Sequence, residues 1–203
     1  MATARARTSV TQDAIRDIFE ASMRAKQVFL EENAAALERA IELTGDALAG
    51  GRKVLLFGNG GSAADAQHIA AEFVGRFFRE RRALPAIALT TDTSALTAIA
   101  NDYGYDEVFT RQVRALGARG DVALAISTGG RSPSVLRAVE ACRELGINTI
   151  GLTGGDGGPL AGMVDVSLRV SASKLSARVQ ETHILIGHVI CELVDRRLFG
   201  ASA

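Results

Sequence analysis

KVLLFGNGGSAADAQHIAAEF, Lys53 to Phe73, sets the fold class. Lys53–Gly58 is a short apolar run, the length of a strand buried on both faces. Glycines crowd the turn Gly58–Gly61, and a helical pattern then runs from Ser62 to Phe77. Strand, Gly-rich turn and helix make the unit of a parallel α/β sheet. The unit recurs downstream. PAIALT (Pro85–Thr90) reads as a second strand, followed by a helix from about Ser94. DVALAIS (Asp121–Ser127) reads as a third, with a helix over Pro133–Leu145. NTIGLT (Asn148–Thr153) and VDVSLRV (Val164–Val170) read as the fourth and fifth, and a helix from about Ala177 to Phe199 closes the chain. The expectation is a three-layer, doubly wound α/β fold on a five-stranded parallel sheet.

Upstream, no Gly or Pro occurs between Thr11 and Thr44, and Gly50-Gly51 ends the segment. Ile15, Phe19, Met23 and Leu30 form an apolar stripe, with a break expected near Glu31–Asn33, which gives two helices or one kinked helix. Residues 1–50 are thus a helical extension, 51–203 the α/β core, and 1–203 a single domain. The stripe is too long for one small sheet to cover, which points to an interface between copies.

The chain has 203 residues, 47% hydrophobic and 23% charged, which excludes disordered and fibrous classes. Lys+Arg and Asp+Glu both total 23, so no basic excess favours direct nucleic-acid binding. Cys142 and Cys191 show no metal or disulfide spacing and sit in helical segments, as inert core thiols of a reducing, cytoplasmic setting would. No apolar run approaches the ~18 residues needed to cross a bilayer. MATARARTSV has charge but no apolar stretch behind it, so no signal peptide is expected.

In doubly wound sheets, ligands bind at the carboxyl ends of the strands. GNGGSAADAQH (Gly58–His68) offers close backbone approach, a helix N-terminus and Ser62 as a candidate N-cap. Gly58, Gly60 and Ala63 fit the loose dinucleotide fingerprint, but the first acid after the next strand, Asp92, lies well beyond the usual position. STGGRSPS (Ser127–Ser134) also ends a strand and opens a helix. It can cradle a phosphate, or be a plain turn with Ser132 as N-cap and Pro133 at the first helical position. Two such loops on one sheet favour a phosphorylated small molecule.

His68 and Glu72 share a helix face, and His183 and His188 lie on the last helix with Gln180 and Glu181. Metal ligation and proton transfer are both open to them. Gln180 and His188 are about 12 Å apart along the axis, a demanding span for one metal. RFFRERR (Arg76–Arg82) reads as a solvated helix end, with an anion entrance or partner patch as the alternative. Asn101 and Asp102 fall after a short helix and could face a polyol.

GNGGSAADAQHIAAEFVGRF, PAIALTTDTSALTAIANDYGYDEVF, GDVALAISTGGRSPSVLRA and VQETHILIGHVICELV resemble the bacterial phosphoheptose isomerases, over about residues 10–199. The resemblance implies the sugar isomerase (SIS) fold and conversion of sedoheptulose 7-phosphate to glycero-manno-heptose 7-phosphate, the first step toward nucleotide-activated heptose. It also implies a homotetramer with one zinc per subunit on His68, Glu72, Gln180 and His188. Asn59, Gly60, Gly61, Ser62, Asn101, Asp102, Ser127, Thr128, Gly129 and Ser132, with Glu72 and Gln180, would bind substrate. Glu72 would be the base and His188 its partner. Two departures stand out. The family usually reads Ser-Thr-Ser-Gly where this chain has Ser127-Thr128-Gly129-Gly130, and many members carry Asp where it has Ala177. The DnaA initiator-associating regulator shares the fold, but its pattern lacks the helix glutamate and last histidine that this chain keeps as Glu72 and His188. A non-catalytic sugar-phosphate sensor is a further reading.

Overall fold

The computed structural model describes residues 10–200. The ends of the 1–203 domain expectation, and residues 1–9 of the stretch read as lacking a signal peptide, lie outside them. In order, the elements are α1 (Val10–Ala49), β1 (Val54–Gly58), α2 (Gly61–Val74), β2 (Ala86–Ala88), α3 (Thr93–Tyr103), α4 (Val108–Leu116), β3 (Val122–Ile126), α5 (Pro133–Leu145), β4 (Asn148–Gly154), α6 (Gly158–Met163), β5 (Val166–Val170) and α7 (Ser176–Phe199).

The five strands pair in parallel, in the order β2-β1-β3-β4-β5. The chain leaves β1 toward one edge and returns to place β3 on β1's other side. The switch point therefore lies between the carboxyl ends of β1 and β3, where the two Gly-rich loops emerge. Strand alternation sorts the core into two layers. Val54, Leu56, Val122, Leu124 and Ile126 pack with α1, α2 and α7 residues such as Leu48, Ile69, Phe73 and Ile186. Leu55, Phe57, Ala123 and Ala125 pack with α4, α5 and α6 through Phe109, Val135, Val139 and Leu160. Phe57 stacks on Phe109 with centroids 5.7 Å apart. The three-layer, doubly wound expectation holds, with α1 as the N-terminal extension. At the opposite end of the sheet, Asp121 accepts from the backbone N–H groups of Lys53 and Ala118 and pairs with the Lys53 ammonium at 2.7 Å. It ties the starts of β1 and β3 together.

The break expected near Glu31–Asn33 does not occur: α1 runs unbroken. Asn33 is the reason. Its buried amide donates to Phe29 O, one turn back, and to Arg169 O, and accepts from Arg169 N–H. The side chain thus supplies the partner that edge strand β5 lacks, and α1 covers that edge. Strand β2 is shorter than Pro85–Thr90, and α4 and α6 were not anticipated.

Candidate active site at the carboxyl edge of the sheet

Helix α2 starts one residue before Ser62, because Gly60, at φ 56°, turns the chain in a left-handed conformation and serves as N-cap. Ser62 is therefore not a capping side chain. It is buried at the base of the loop and lines a cavity of about 240 Å³ together with Asn59, Ile126, Ser127, Thr128, Ser132, Ser176 and Gln180. Ser132 does precede α5, with Pro133 in the first turn, but its hydroxyl caps nothing. It accepts instead from Asn59 Nδ2 at 2.7 Å, and Ser134 Oγ accepts from the same nitrogen at 3.0 Å. The two loops are thereby joined across the switch point. Gly130 must be glycine: its φ is +61°, and a Cβ there would lie 1.9 Å from Gly157 O. Gly129 is different, since a Cβ there meets nothing within 4 Å.

Helices α2 and α7 lie side by side and run in the same direction. A Cβ on Gly61 would sit 2.2 Å from Gln180 Nε2, and one on Gly187 would sit 2.4 Å from Ile69 Cδ1. The small residues let the helices approach, and the pairing brings His68 level with His188. Their Nε2 atoms are 2.9 Å apart, and Glu72 Oε1 is 3.4 Å from His68 Nε2. One ligand atom from each of His68, Glu72 and His188 falls within a common 4.8 Å. Two imidazole nitrogens and a carboxylate form a donor set suited to zinc. Tetrahedral zinc with ligand bonds of about 2.0–2.1 Å sets its ligands roughly 3.3 Å apart, so these residues fit such an ion with small adjustments. Gln180 is not with them: its amide lies against Gly61, in the loop cavity, about two turns from His188.

Asp65, one turn before His68, has a buried Oδ2 without a hydrogen-bond partner. Burial pushes its carboxyl above the usual range, against the pull of His68. His183, which the sequence set beside His188, is wholly buried and donates from Nε2 to Thr153 O at 3.0 Å. Burial lowers its imidazole to about 4, with the Thr153 carbonyl working the other way. It is a neutral core residue that braces α7 on the end of β4. Cys142 and Cys191 are buried free thiols. Burial pushes Cys142 up to about 12 and raises Cys191 further still.

The segment Arg76–Arg82 is not a solvated helix end, because α2 stops at Val74. The Arg81 side chain is buried there, 2% exposed, and pairs with Asp195 of α7 at 2.9 Å. It also donates to the carbonyls of Glu72, Phe73, Gly75 and Arg82. The turn back from α2 to β2 brings this guanidinium under the carbonyls at the end of α2, where a cation is favoured. Asn101 and Asp102 lie within α3, exposed, with Asn101 Nδ2 donating to Asp102 Oδ1; neither lines the loop cavity. Tyr105, just past them, does reach the loops: its hydroxyl donates to Asn59 Oδ1 at 2.8 Å. Ser176 and Tyr105 were missed. The one sequence signal for Tyr105 was the Gly104 turn that ends α3.

A switch-point sheet with a polar loop cavity, and a His/Glu/His cluster two turns along the same helix, is the layout of a SIS domain. The SIS domain family model matches residues 18–154. Beyond that class, the chain belongs to the phosphoheptose isomerase family. It is 54% identical over 187 residues to the phosphoheptose isomerase of Geobacter sulfurreducens, covering 90% of this chain and 98% of that one. The Thermodesulfovibrio yellowstonii protein of the same name is 50% identical over 192 residues, with 95% of each chain covered. The solved phosphoheptose isomerase structure from Neisseria gonorrhoeae superposes with a TM-score of 0.86 at 48% identity, covering 92% of this chain and 99% of that one. No helix among the described residues is long and apolar enough to cross a membrane.

Proposed function

We propose that this chain is an aldose–ketose isomerase converting D-sedoheptulose 7-phosphate to D-glycero-D-manno-heptose 7-phosphate, the first step of nucleotide-activated heptose synthesis. The observation that carries the reading is the shared scaffold of α2 and α7. One end of the pair borders the Asn59–Ser132 cavity, and His68, Glu72 and His188 sit about two turns further along. The cavity takes the phosphate: the hydroxyls of Ser62, Ser127, Thr128, Ser132 and Ser176 line it, and α2 and α5 begin beside it.

At the other end, Glu72 takes the proton from C1 of the ketose while His188 delivers a proton to the C2 oxygen, giving a cis-enediol. Glu72 then returns its proton to C2, and His188 removes the proton on the C1 oxygen to leave the aldehyde. His68, Glu72 and His188 could also hold a zinc ion, which would supply polarisation of the carbonyl and enediol oxygens; Glu72 and His188 carry protons as described only while the metal does not engage them. Gln180, a metal ligand by the resemblance, lies in the loop cavity about two turns from His188, where its amide would contact the substrate. The chain acts as a single SIS domain in a cytoplasmic homotetramer. Ile15, Phe19, Met23 and Leu30 of α1 are all more than half exposed. An apolar groove of about 360 Å³ lies beside them, between Phe29, Leu30, Leu37, Leu185, Ile186 and Val189, and these surfaces form the interface.

The decisive experiment is turnover of sedoheptulose 7-phosphate by purified protein, with and without chelator, with metal content measured. Isomerisation and about one zinc per subunit support the reading. Glu72→Gln keeps shape but removes basicity, so turnover and C1-proton exchange should fall about 100-fold or more. Phosphosugar binding without isomerisation or exchange by the wild type would make the protein a sensor instead.

A further inference from the structure

We propose that Tyr105 is a positioning residue for the phosphate cradle, fixing through Asn59 the direction in which the serine hydroxyls of the Ser127–Ser134 loop present their protons. The inference rests on the reading that the cavity takes a phosphate. Tyr105 stands outside that cavity, in the turn after α3, and is 57% exposed. Its O–H donates to Asn59 Oδ1, and Asn59 Nδ2 donates to Ser132 Oγ and Ser134 Oγ. Both amide hydrogens are thus spent on hydroxyl oxygens, and each serine has a lone pair occupied.

A hydroxyl that accepts on one side still has its own proton to donate. Ser132 lines the cavity and Ser134 does not, so with Ser134 as the donor in their 3.3 Å contact the Ser132 proton is available to an anion inside the cavity. With the amide reversed, Oδ1 would take the serine protons, and the hydroxyls would turn lone pairs toward the phosphate. Electrostatics would then oppose binding where it had favoured it. A phenol is a better donor than acceptor, so Tyr105 favours the first orientation. Its bond also polarises the amide and strengthens the two N–H donors beyond it. The chain Tyr105–Asn59–Ser132/Ser134 therefore carries a preference from the surface to the cavity.

The test compares Tyr105→Phe with Tyr103→Phe. Tyr103 undergoes the same chemical change two residues away, but its ring packs under Arg111, 3.9 Å from the guanidinium carbon. Inorganic phosphate is titrated calorimetrically into each protein, and sedoheptulose 7-phosphate kinetics are measured alongside. Tyr105→Phe should raise the phosphate Kd and the substrate KM by about three- to tenfold, the worth of one net hydrogen bond. Its kcat should stay within about twofold of wild type, and Tyr103→Phe should match wild type in both. In an Asn59→Ala background, adding Tyr105→Phe should cost nothing further. Unchanged phosphate affinity in Tyr105→Phe overturns the inference. So does an equal loss in the Asn59→Ala background, or a fall in kcat at constant affinity. A wild type that takes up no phosphate overturns the reading of the cradle, and the inference with it; a wild type that binds phosphate no better than Tyr105→Phe overturns the inference alone.

Discussion

Gly129 and Gly130 are adjacent and look alike in the sequence, yet their surroundings ask different things of them. Gly130 is held by its left-handed backbone and the contact with Gly157, whereas Gly129 faces open space. The missing hydroxyl at 129 is thus a vacancy the backbone would tolerate. Gly129 borders a neighbouring pocket with Thr128, Arg131, Asp156 and Lys174 rather than the phosphate cavity, so Gly129→Ser should fold normally and leave inorganic phosphate affinity within about twofold of wild type. Calorimetric titration checks it. Such distinctions are invisible in the sequence, because φ and the distance to Gly157 depend on a loop almost thirty residues away. Ser62 carries the same lesson. Its type and place before a helix suggested a cap, but the left-handed turn at Gly60 moved the helix start and left Ser62 as a buried wall of the cavity.

Among the elements, β1, β3 and β4 were legible because burial on both faces leaves a nearly continuous apolar run, and α5 was legible to its ends, Pro133 and Leu145. The short α6 and the single helix α1 were not. An asparagine inside a helix reads as a break until the strand edge it serves is known, and Asn33 finds that edge in Arg169. Likewise, His68, Glu72 and His188 could be picked out, but their meeting depends on how closely α2 approaches α7, a matter of Gly61 and Gly187 rather than of the histidines. Arg81 was hidden in a run of exposed charges. It joins the end of α2 to α7 at Asp195, and both are buried. Arg81→Ala leaves a buried carboxylate and several helix-end carbonyls unpaired. It should lower unfolding stability by about 3–5 kcal/mol, measured by denaturant titration at fixed protein concentration. Arg76→Ala, an exposed neighbour in the same run, should change it by less than about 0.5 kcal/mol.

For the molecule as a whole, His183 sets an acid limit. Its folded-state value, lowered from 6.5 to about 4, lies below that of the unfolded chain. Between those values the unfolded state binds the extra proton, so stability is full above about pH 6.5 and falls as the pH drops toward 4. The slope from this one group is at most about 1.4 kcal/mol per pH unit. Thermal or urea unfolding followed from pH 7 to pH 4 checks this, and His183→Gln should flatten that part of the profile. The shared direction of α2 and α7 has a consequence at the same scale. Under the proposed reaction, one end of the pair grips the phosphate and the other performs the chemistry, with Gly61 and His68 separated by about 10 Å of rigid helix rise. That span is comparable to an extended seven-carbon sugar phosphate, so the helix acts as a ruler for chain length. A six-carbon ketose phosphate gripped at the cavity would fall short of Glu72 by about one carbon. It should still compete for the site, with KM or Ki within about tenfold, but its kcat should drop by about 100-fold, because misplacement by about 1 Å is enough to cost that much. Substrate length would then be read by the rise of an α-helix, and lengthening the sugar would be a way of measuring the protein.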